Sequence, residues 1–548
     1  MSVVDSVAGA LVSTVAGVTR RLGVRDLDEA EATVEHRREK RIIANVVCTL
    51  LNNCPQSTAA ATTTTTTTSS SAKPTTTTST TSKAATTTSS TTKSTSTSKT
   101  SSTSKAVSST VVVSSSIKTT ALSSMTPGSS VASSTVVTAS ATSSVVPLPS
   151  STITCLDSSV NDTVITSLFY YGGANTVINL CASAQISLTN AVFFWGTGQT
   201  LQTVGLPTGS TRATLTVTGQ NQTCAIYGAQ AGNDYATLQN VIINGNRPAM
   251  GIYASGLASI ELGGNNAGHK VTNIWSYEPR AWSAMHMIEG TNLACSASTV
   301  TNSQFGPCGH APSGADQFRR MKRMTRQSKR DTGTYSPGEW ADGISMACQG
   351  STVSGNTITD ATDGAIVVFG APGSSITGNH IIAESRNLLG ALNGVDFGPF
   401  NGEYTGTVVS GNTVDARNAM IKTGIALGPL AWGVYQQYSS DYFNYDGTWT
   451  GNTFTTTGAN GYFNFGIAIS GHKNPTVLKN NFVNANFGGV QSSSCLYGTP
   501  NVQPLILSAP TVSGQTVQSD FVVQSAGWEL AICYAPGPLN ITSYSHTA

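Results

Sequence analysis

The sequence predicts an all-β fold, a parallel β-helix (solenoid) preceded by a disordered Ser/Thr-rich stalk. Three observations carry this. First, short acidic or polar motifs ending in glycine recur through the second half: Glu289-Gly290, Asp342-Gly343, Asp363-Gly364, Asn393-Gly394 and Thr423-Gly424 each open a short apolar stretch. Second, most of these stretches close on Gly355-Asn356, Gly378-Asn379, Gly411-Asn412, Gly451-Asn452 or Asn480-Asn481. Strand, turn, strand, turn at a step of about 21 residues suits one coil of a stacked rod. Third, only 10 % of residues are charged and 53 are glycine, the composition of a turn-rich β protein.

Residues 1–56 form a separate segment. Val7 to Val18 is a small-residue apolar run that Asp5 precedes and no basic region does, a poor secretion signal. Leu27 to Leu51 has helical character, and Lys40-Arg41 offers a dibasic cleavage site for a pro-segment; an amphipathic helix on a tail is the plainer reading. No apolar stretch reaches transmembrane length. Residues 57–150 are almost wholly Thr, Ser, Ala and Val and bury too little apolar surface to offset chain entropy. That composition suits an O-glycosylated, mucin-like linker.

The β-helix domain is assigned to 151–548, with its fold starting near Cys155. The segment Val164 to Leu188 alternates apolar and polar residues and is read as the cap that closes the first coil. Ten cysteines, eight of them after residue 150, point to disulfides and an oxidising compartment. Cys155–Cys181 and Cys495–Cys533 are expected to staple the two ends. The run Cys295 to Val300 matches Cys348 to Val353, so direct stacking would bring Cys295 and Cys348 within disulfide range. Otherwise the partners of Cys224, Cys295, Cys308 and Cys348 stay open. Acceptor tripeptides for N-glycosylation begin at Asn161, Asn221 and Asn540. A secreted or cell-wall location follows from cysteines, acceptors and stalk together.

Inside the coils, Ile344, Met346 and Cys348 share one strand face, as do Val395 with Phe397, Ile425 with Leu427 and Ile467 with Ile469. Period two places these in the core. Asn356, Asn379, Asn412, Asn452 and Asn480 fall at equivalent turns and read as a structural ladder. The insertion Gly306 to Gly338, basic from Arg319 to Arg330, should loop out beside the acidic ladder. The net charge of +2 gives no case for nucleic acid as a partner. The rod is expected to be monomeric.

The Gly-Asn-Thr-Ile-like turns and Asp-Gly-Ile-like strand starts resemble the right-handed parallel β-helix of the pectin lyase-like superfamily over roughly residues 155–500. Trp340-Ala341-Asp342-Gly343-Ile344 and the run Asp360 to Gly370 look like secreted fungal members. The resemblance implies a polysaccharide partner, since most such relatives cleave or modify polysaccharides. Polygalacturonases are similar in using aspartates on neighbouring coils, but their Asp-Asp, Gly-His-Gly and Arg-Ile-Lys motifs are absent here, and Ser470-Gly471-His472-Lys473 is a faint echo.

Alignment of the coils adds a second ladder, Arg247, His286, Glu339 and Asp360, three positions before the first one, which runs Met250, Glu289, Asp342, Asp363, Asn393, Thr423, Phe465 and Gly488. Stacked carboxylates would lie about 5 Å apart on adjacent coils and about 9.5 Å two coils apart, the range of glycosidase acid pairs. Crowded like charges raise at least one pKa. Asp342 and Asp363 are the central acid/base candidates. Glu289, Glu339, Asp360 and Asp396 are supports, and His286 could shuttle a proton. Asp342 has the parity of the inward residues, so its direction depends on the corner, and Asp-Gly is also a common turn pair. Trp340, Arg280, Arg386, Trp432 and Tyr435 are candidate substrate contacts, the last two in an aromatic insertion that includes Tyr438, Tyr442, Phe443, Tyr445 and Trp449. No cofactor is required, although acidic oxygens at this density could hold Ca²⁺. The function expected is glycosidic bond cleavage. The alternatives are a lyase using Ca²⁺, with Arg280 or Arg386 as base, and a non-catalytic wall-binding module.

Overall fold

The computed structural model describes residues 155–253, 256–309, 340–433, 442–491, 495, 499–528, 531–535 and 542–547. Residues 1–154, the basic stretch Arg319 to Arg330, Glu339, Tyr435 and Tyr438 lie outside the described residues.

The chain coils into a parallel β-helix with three columns of strands. One column is an eleven-stranded parallel sheet running from Val177–Leu180 to Thr516–Val517. The other two are joined in a 22-stranded sheet. Within it, one column passes through Thr357–Thr359, His380–Ile382, Thr413–Asp415 and Thr453–Thr455. The third passes through Ile260–Gly264, Ser283–Glu289, Asp342–Met346, Gly364–Val368, Leu388–Gly394, Met420–Leu427, Tyr462–Ile469 and Gln503–Ser508. Short strands suffice because each is paired above and below, so its backbone groups are satisfied by neighbouring coils.

Period two accounts for the core. Val353, Ile376, Val409, Trp449 and Val477 stack in register inside the first column, each almost wholly buried. Trp449 is therefore a core residue, not a ring offered to solvent. Ile344, Ile366, Leu392, Ile425, Ile467 and Leu505 do the same in the third column.

The asparagine ladder forms as expected. The backbone N–H of Asn356 donates to Asn379 Oδ1, that of Asn379 to Asn412, and that of Asn412 to Asn452, at 2.9–3.1 Å. Asn452 continues the series to Asn480. The side-chain amides donate both to the next Oδ1 and to a carbonyl of the preceding coil, as Asn379 Nδ2 does to Asn412 Oδ1 and to Val353 O. The left-handed conformation belongs to the residue before each asparagine, Gly378 among them, with φ 64°.

The first coil is capped, but by a helix where alternation suggested extended chain. The α-helix Asp162–Gly172 starts at Asn161, whose side chain accepts the Val164 N–H. Ile165 and Phe169, four apart, bury its inner face. Disulfides join Cys155 to Cys181, Cys295 to Cys348 and Cys495 to Cys533, with Cα atoms 4.8, 4.7 and 5.1 Å apart. Cys224 and Cys308 are free and buried. No described helix is long and apolar enough to cross a membrane.

Candidate functional site

The third column has one irregularity that builds the site. A regular strand alternates in and out. Here two consecutive positions point inward. A Cβ on Gly343 would sit 2.7 Å from Ile358 Cγ2 in the core, beside inward Ile344, and one on Gly424 would sit 2.5 Å from the Phe454 ring, beside inward Ile425. Ala365 with Ile366 and Ala391 with Leu392 repeat the pattern. The strand bends there, and the outward residues on either side of the bend converge. Ser345 Oγ donates to Asp342 Oδ2 at 2.9 Å, and Asn393 Nδ2 donates to the Gly390 carbonyl at 3.3 Å. Stacked coil on coil, the bends form a crease along the outside of the rod. Asp342 faces outward for this reason, which settles the direction its parity left open.

Strand pairing also corrects the register of the acidic ladder. Asp342 pairs with Ser283, and Glu289 pairs with Gly264. The Ile344–Ile366 pair sets Asp342 opposite Gly364, which pairs with Gly390 rather than aligning with Asn393. The row then continues through Thr423 and Phe465 to Gln503, in place of Gly488.

Three carboxyls gather at the crease. Asp342 is almost wholly buried, and its Oδ1 accepts the Gly364 N–H at 2.7 Å. Ser345 also donates to Ser283 or accepts from it at 2.9 Å, tying the acid to the preceding coil. Burial, and next the nearby Asp363, hold the Asp342 carboxyl well above the usual range, against the pull of its hydrogen bonds with Gly364 and Ser345; Asp396 adds to the rise. Asp363 precedes the strand Gly364–Val368 and keeps part of its surface exposed, yet burial pushes it up to about 6. Asp396 follows the strand Leu388–Gly394, and burial, then Asp363, push it up to about 7. Asp363 and Asp396 extend from opposite ends of adjacent strands and still interact, because the crease folds the outer face between them.

On the other flank of the bend a second outward row holds Glu261, His286 and Ser345, paired in register. Glu261 Oε1 lies 2.9 Å from His286 Nδ1, while Glu261 Oε2 accepts the Ala258 N–H at 3.1 Å. The imidazole is thus held by one nitrogen and keeps Nε2 free to face outward. Trp282 packs edge-on against His286, with ring centroids 4.8 Å apart, and Phe369 lies 6.1 Å away. Glu261 and Trp282 carry no Asp-Gly or Glu-Gly mark, so the motif ladder passes over them.

On the opposite side of the acids, Gly390 is packed against Trp432 and Asn393. A Cβ there would lie 2.7 Å from Trp432 Cζ3 and would collide with Asn393 Oδ1. Trp340 and Trp432 both belong to an apolar cluster outside the rod. Lys422, one position before Thr423, is buried there, its Nζ donating to the Ile532 carbonyl at 2.9 Å, and burial lowers it to about 7.

Other expected site residues are placed in the framework. Glu289 caps a turn, its Oε1 accepting the N–H groups of Gly290 and Cys295 at 2.9 and 2.8 Å. Asp360 accepts the N–H groups of Glu384, Ser385 and Arg386 and the Ser385 hydroxyl. Arg280 donates to the carbonyls of Gly219, Gln220, Gln222, Met250 and Gly251. Arg386 pairs with Glu278 at 2.6 Å and donates to the Gly309 carbonyl. Neither guanidinium is available as a base. His472, the histidine of the faint Gly-His echo, is buried with Nε2 2.8 Å from the Asp446 carbonyl, and burial lowers it to about 4. Among the described residues no group of three or more His, Cys, Asp or Glu is arranged to hold a metal ion. A cavity of about 640 Å³ beside the capping helix is lined by Leu156, Val164, Leu168 and Tyr171; it is mainly apolar and holds none of the acids.

No family model and no curated protein matches this chain. Solved structures do. A DFA-IIIase from Arthrobacter chlorophenolicus A6 in complex with DFA-III aligns at 11 % identity and TM-score 0.34, over 66 % of this chain and 90 % of that one. An alginate lyase from Paenibacillus sp. str. FPU-7 aligns at 11 % identity and TM-score 0.29, over 67 % and 95 %. The catalytic domain of a GH87 α-1,3-glucanase in complex with nigerose aligns at 13 % identity and TM-score 0.33, over 68 % and 67 %. At such identities and scores the likeness is one of fold alone, and the chemistry rests on the crease.

Proposed function

We propose that this chain is a secreted or wall-displayed enzyme that cleaves glycosidic bonds by carboxylate acid/base catalysis. The observation that carries this reading is the gathering of Asp342, Asp363 and Asp396 on consecutive coils of one crease, each with its pKa raised. Acids in similar surroundings but of unequal pKa supply a proton donor beside an ionised partner. Asp363, titrating near 6, is the base or nucleophile, and Asp396, near 7, is the proton donor to the leaving oxygen. Asp342 has both oxygens engaged by the protein; it holds the Gly364 N–H, and Asp363 raises its pKa rather than the reverse. The sequence reading put Asp342 in the reacting pair. Its internal bonds favour Asp396 instead.

Polysaccharide is the substrate class that suits partly exposed acids bordered by Trp282 and Phe369, whose apolar faces can stack on sugar rings. A Ser/Thr-rich stalk would hold the head away from its attachment. The test is turnover of a glycan panel by wild type, Asp363→Asn and Asp396→Asn. Loss of cleavage in both variants, with the fold intact, is expected. Full activity in either would overturn the assignment, and an unsaturated product would identify a lyase.

A further inference from the structure

The groove beside the capping helix takes no part in the chemistry at the crease. Leu156, Thr163, Val164, Leu168, Tyr171 and Val177 line it. Val164, Leu168, Tyr171 and Val177 are 41, 42, 84 and 52 % exposed, whereas Ile165 and Phe169 on the inner side of the helix are wholly buried. Val164, Leu168 and Tyr171 follow one another at steps of four and three, so they share one helical face. The groove also flanks an open sheet edge. Val177–Leu180 is the first strand of the eleven-stranded column. Among the described residues its outer edge pairs only with Leu156, whose N–H donates to the Asn179 carbonyl and whose carbonyl accepts the Cys181 N–H, both at 2.8 Å. An apolar face beside an unpaired strand edge invites other chains to adhere unless something covers it.

One acceptor tripeptide, Asn161-Asp162-Thr163, stands on the rim of this groove. Asn161 is exposed, and its Oδ1 accepts the N–H of groove-lining Val164 at 3.1 Å. Thr163 is exposed and lines the groove itself. Asn161 Nδ2 donates to no group among the described residues. The amide thus divides its duties: the oxygen caps the helix and the nitrogen is free. A sugar on Nδ2 leaves the cap in place. Of the other two acceptors, Asn221 is not part of the groove lining and Asn540 lies outside the described residues.

We propose that Asn161 carries an N-linked glycan whose first sugars lie over this groove and shield the capped end of the rod. In the modification, Asn161 Nδ2 attacks the anomeric carbon of an oligosaccharide carried on a lipid diphosphate. The new C–N bond replaces the C–O bond to the diphosphate, one amide proton is released, and the lipid diphosphate leaves. A sugar ring has an apolar C–H face that packs on Val164, Leu168 and the Tyr171 ring, while its hydroxyls stay in water. The inference shares with the proposed function the passage of the chain through a secretory compartment, and none of the acid/base chemistry.

The experiment produces the full chain in a eukaryotic secretory host and maps its peptides by mass before and after an amidase that cleaves the Nδ2–sugar bond. Asn161 is expected to be occupied. Thr163→Ala, which destroys the acceptor and keeps the Asn161 cap, should lose the glycan, melt roughly 2 °C lower and bind more of an apolar dye. Amidase treatment of the wild type should raise dye binding in the same way. Leu168→Ser should remove most of the difference in dye binding between treated and untreated protein. An unmodified Asn161 overturns the proposal. So does a glycan whose removal changes neither Tm nor dye binding, because the groove is then covered by something else, such as the chain before Cys155. Turnover of the glycan panel is read on the same samples. If it is absent while Asn161 is occupied and the groove is covered, the acid/base reading fails and this inference stands.

Discussion

Gly364 and Asp342 face each other across adjacent coils, with the glycine N–H 2.7 Å from Asp342 Oδ1. The contact needs glycine. A Cβ at position 364 would stand 3.0 Å from that oxygen and 2.7 Å from Asn393 Nδ2, and it would collide with Val367. Gly364→Ala is therefore expected to destabilise the head by about 1–3 kcal/mol, the usual cost of overpacking, and to abolish cleavage by displacing Asp342 and Asp363 together. Chemical denaturation and turnover check this. An alanine variant with wild-type stability would show that the coils are not stacked this tightly.

Asp363 and Asp360 are close in sequence and differ in duty. Asp360 accepts four hydrogen bonds from Glu384, Ser385 and Arg386. Asp363 sits at the crease beside two other acids that its charge pushes up. Asp360→Asn should lower stability by about 1–3 kcal/mol, because amide N–H groups then face a poorer acceptor, and should leave kcat of the folded fraction near wild type. Asp363→Asn should keep or raise Tm at neutral pH and lower kcat by roughly 10²–10⁴, the usual contribution of one acid/base group.

The raised acids also set the direction of the pH dependence. A carboxyl whose folded pKa lies above its unfolded value favours the folded state while protonated. That stability is fully present below the unfolded value, near 4, and is lost as pH rises through the folded one. With Asp363 near 6 and Asp396 near 7, Tm should fall as pH is raised from about 4 to 7. Asp396→Asn should flatten the upper part of that fall. Activity should rise as Asp363 ionises and decline as Asp396 loses its proton, giving an acidic optimum. A Tm that climbs steadily over this interval would mean that the carboxyls are not buried together.

Much of the fold was legible because a rod repeats its local rules. Inward alternation, the asparagine turns and the stacking of Cys295 on Cys348 each depend on one coil and its neighbour, so periodicity reveals them. The acidic register was less legible because coil lengths vary. Glu289 ends its strand whereas Asp342 begins one, and the same Glu/Asp-Gly signature marks both. The direction of Asp342 depends on the bend at Gly343 and Ile344, which period two alone cannot express. Glu261 reaches the site only through its cross-strand partner His286, and the covering of the crease by Trp528 and Ile532 depends on chain far from it in sequence. Arg280 has no local mark of its role; its carbonyl partners in the 219–222 turn lie on an earlier coil.

The asparagine ladder allows a test of the rod that does not involve the crease. Asn379 is buried; its N–H and side chain bond Asn412, its Oδ1 accepts from Asn356, and its Nδ2 also reaches the Val353 carbonyl. Asn379→Ala leaves polar groups of three coils without partners in an interior that water does not reach. Each such group costs about 1–3 kcal/mol, so the variant should lose at least about 2 kcal/mol. Asn379→Asp should do no better, because a carboxylate cannot donate to Asn412 Oδ1 or to the Val353 carbonyl. Neither variant touches the acids, so kcat per folded molecule should stay at the wild-type value while Tm falls. A drop in kcat with Tm preserved would place Asn379 in the chemistry and contradict the purely structural ladder.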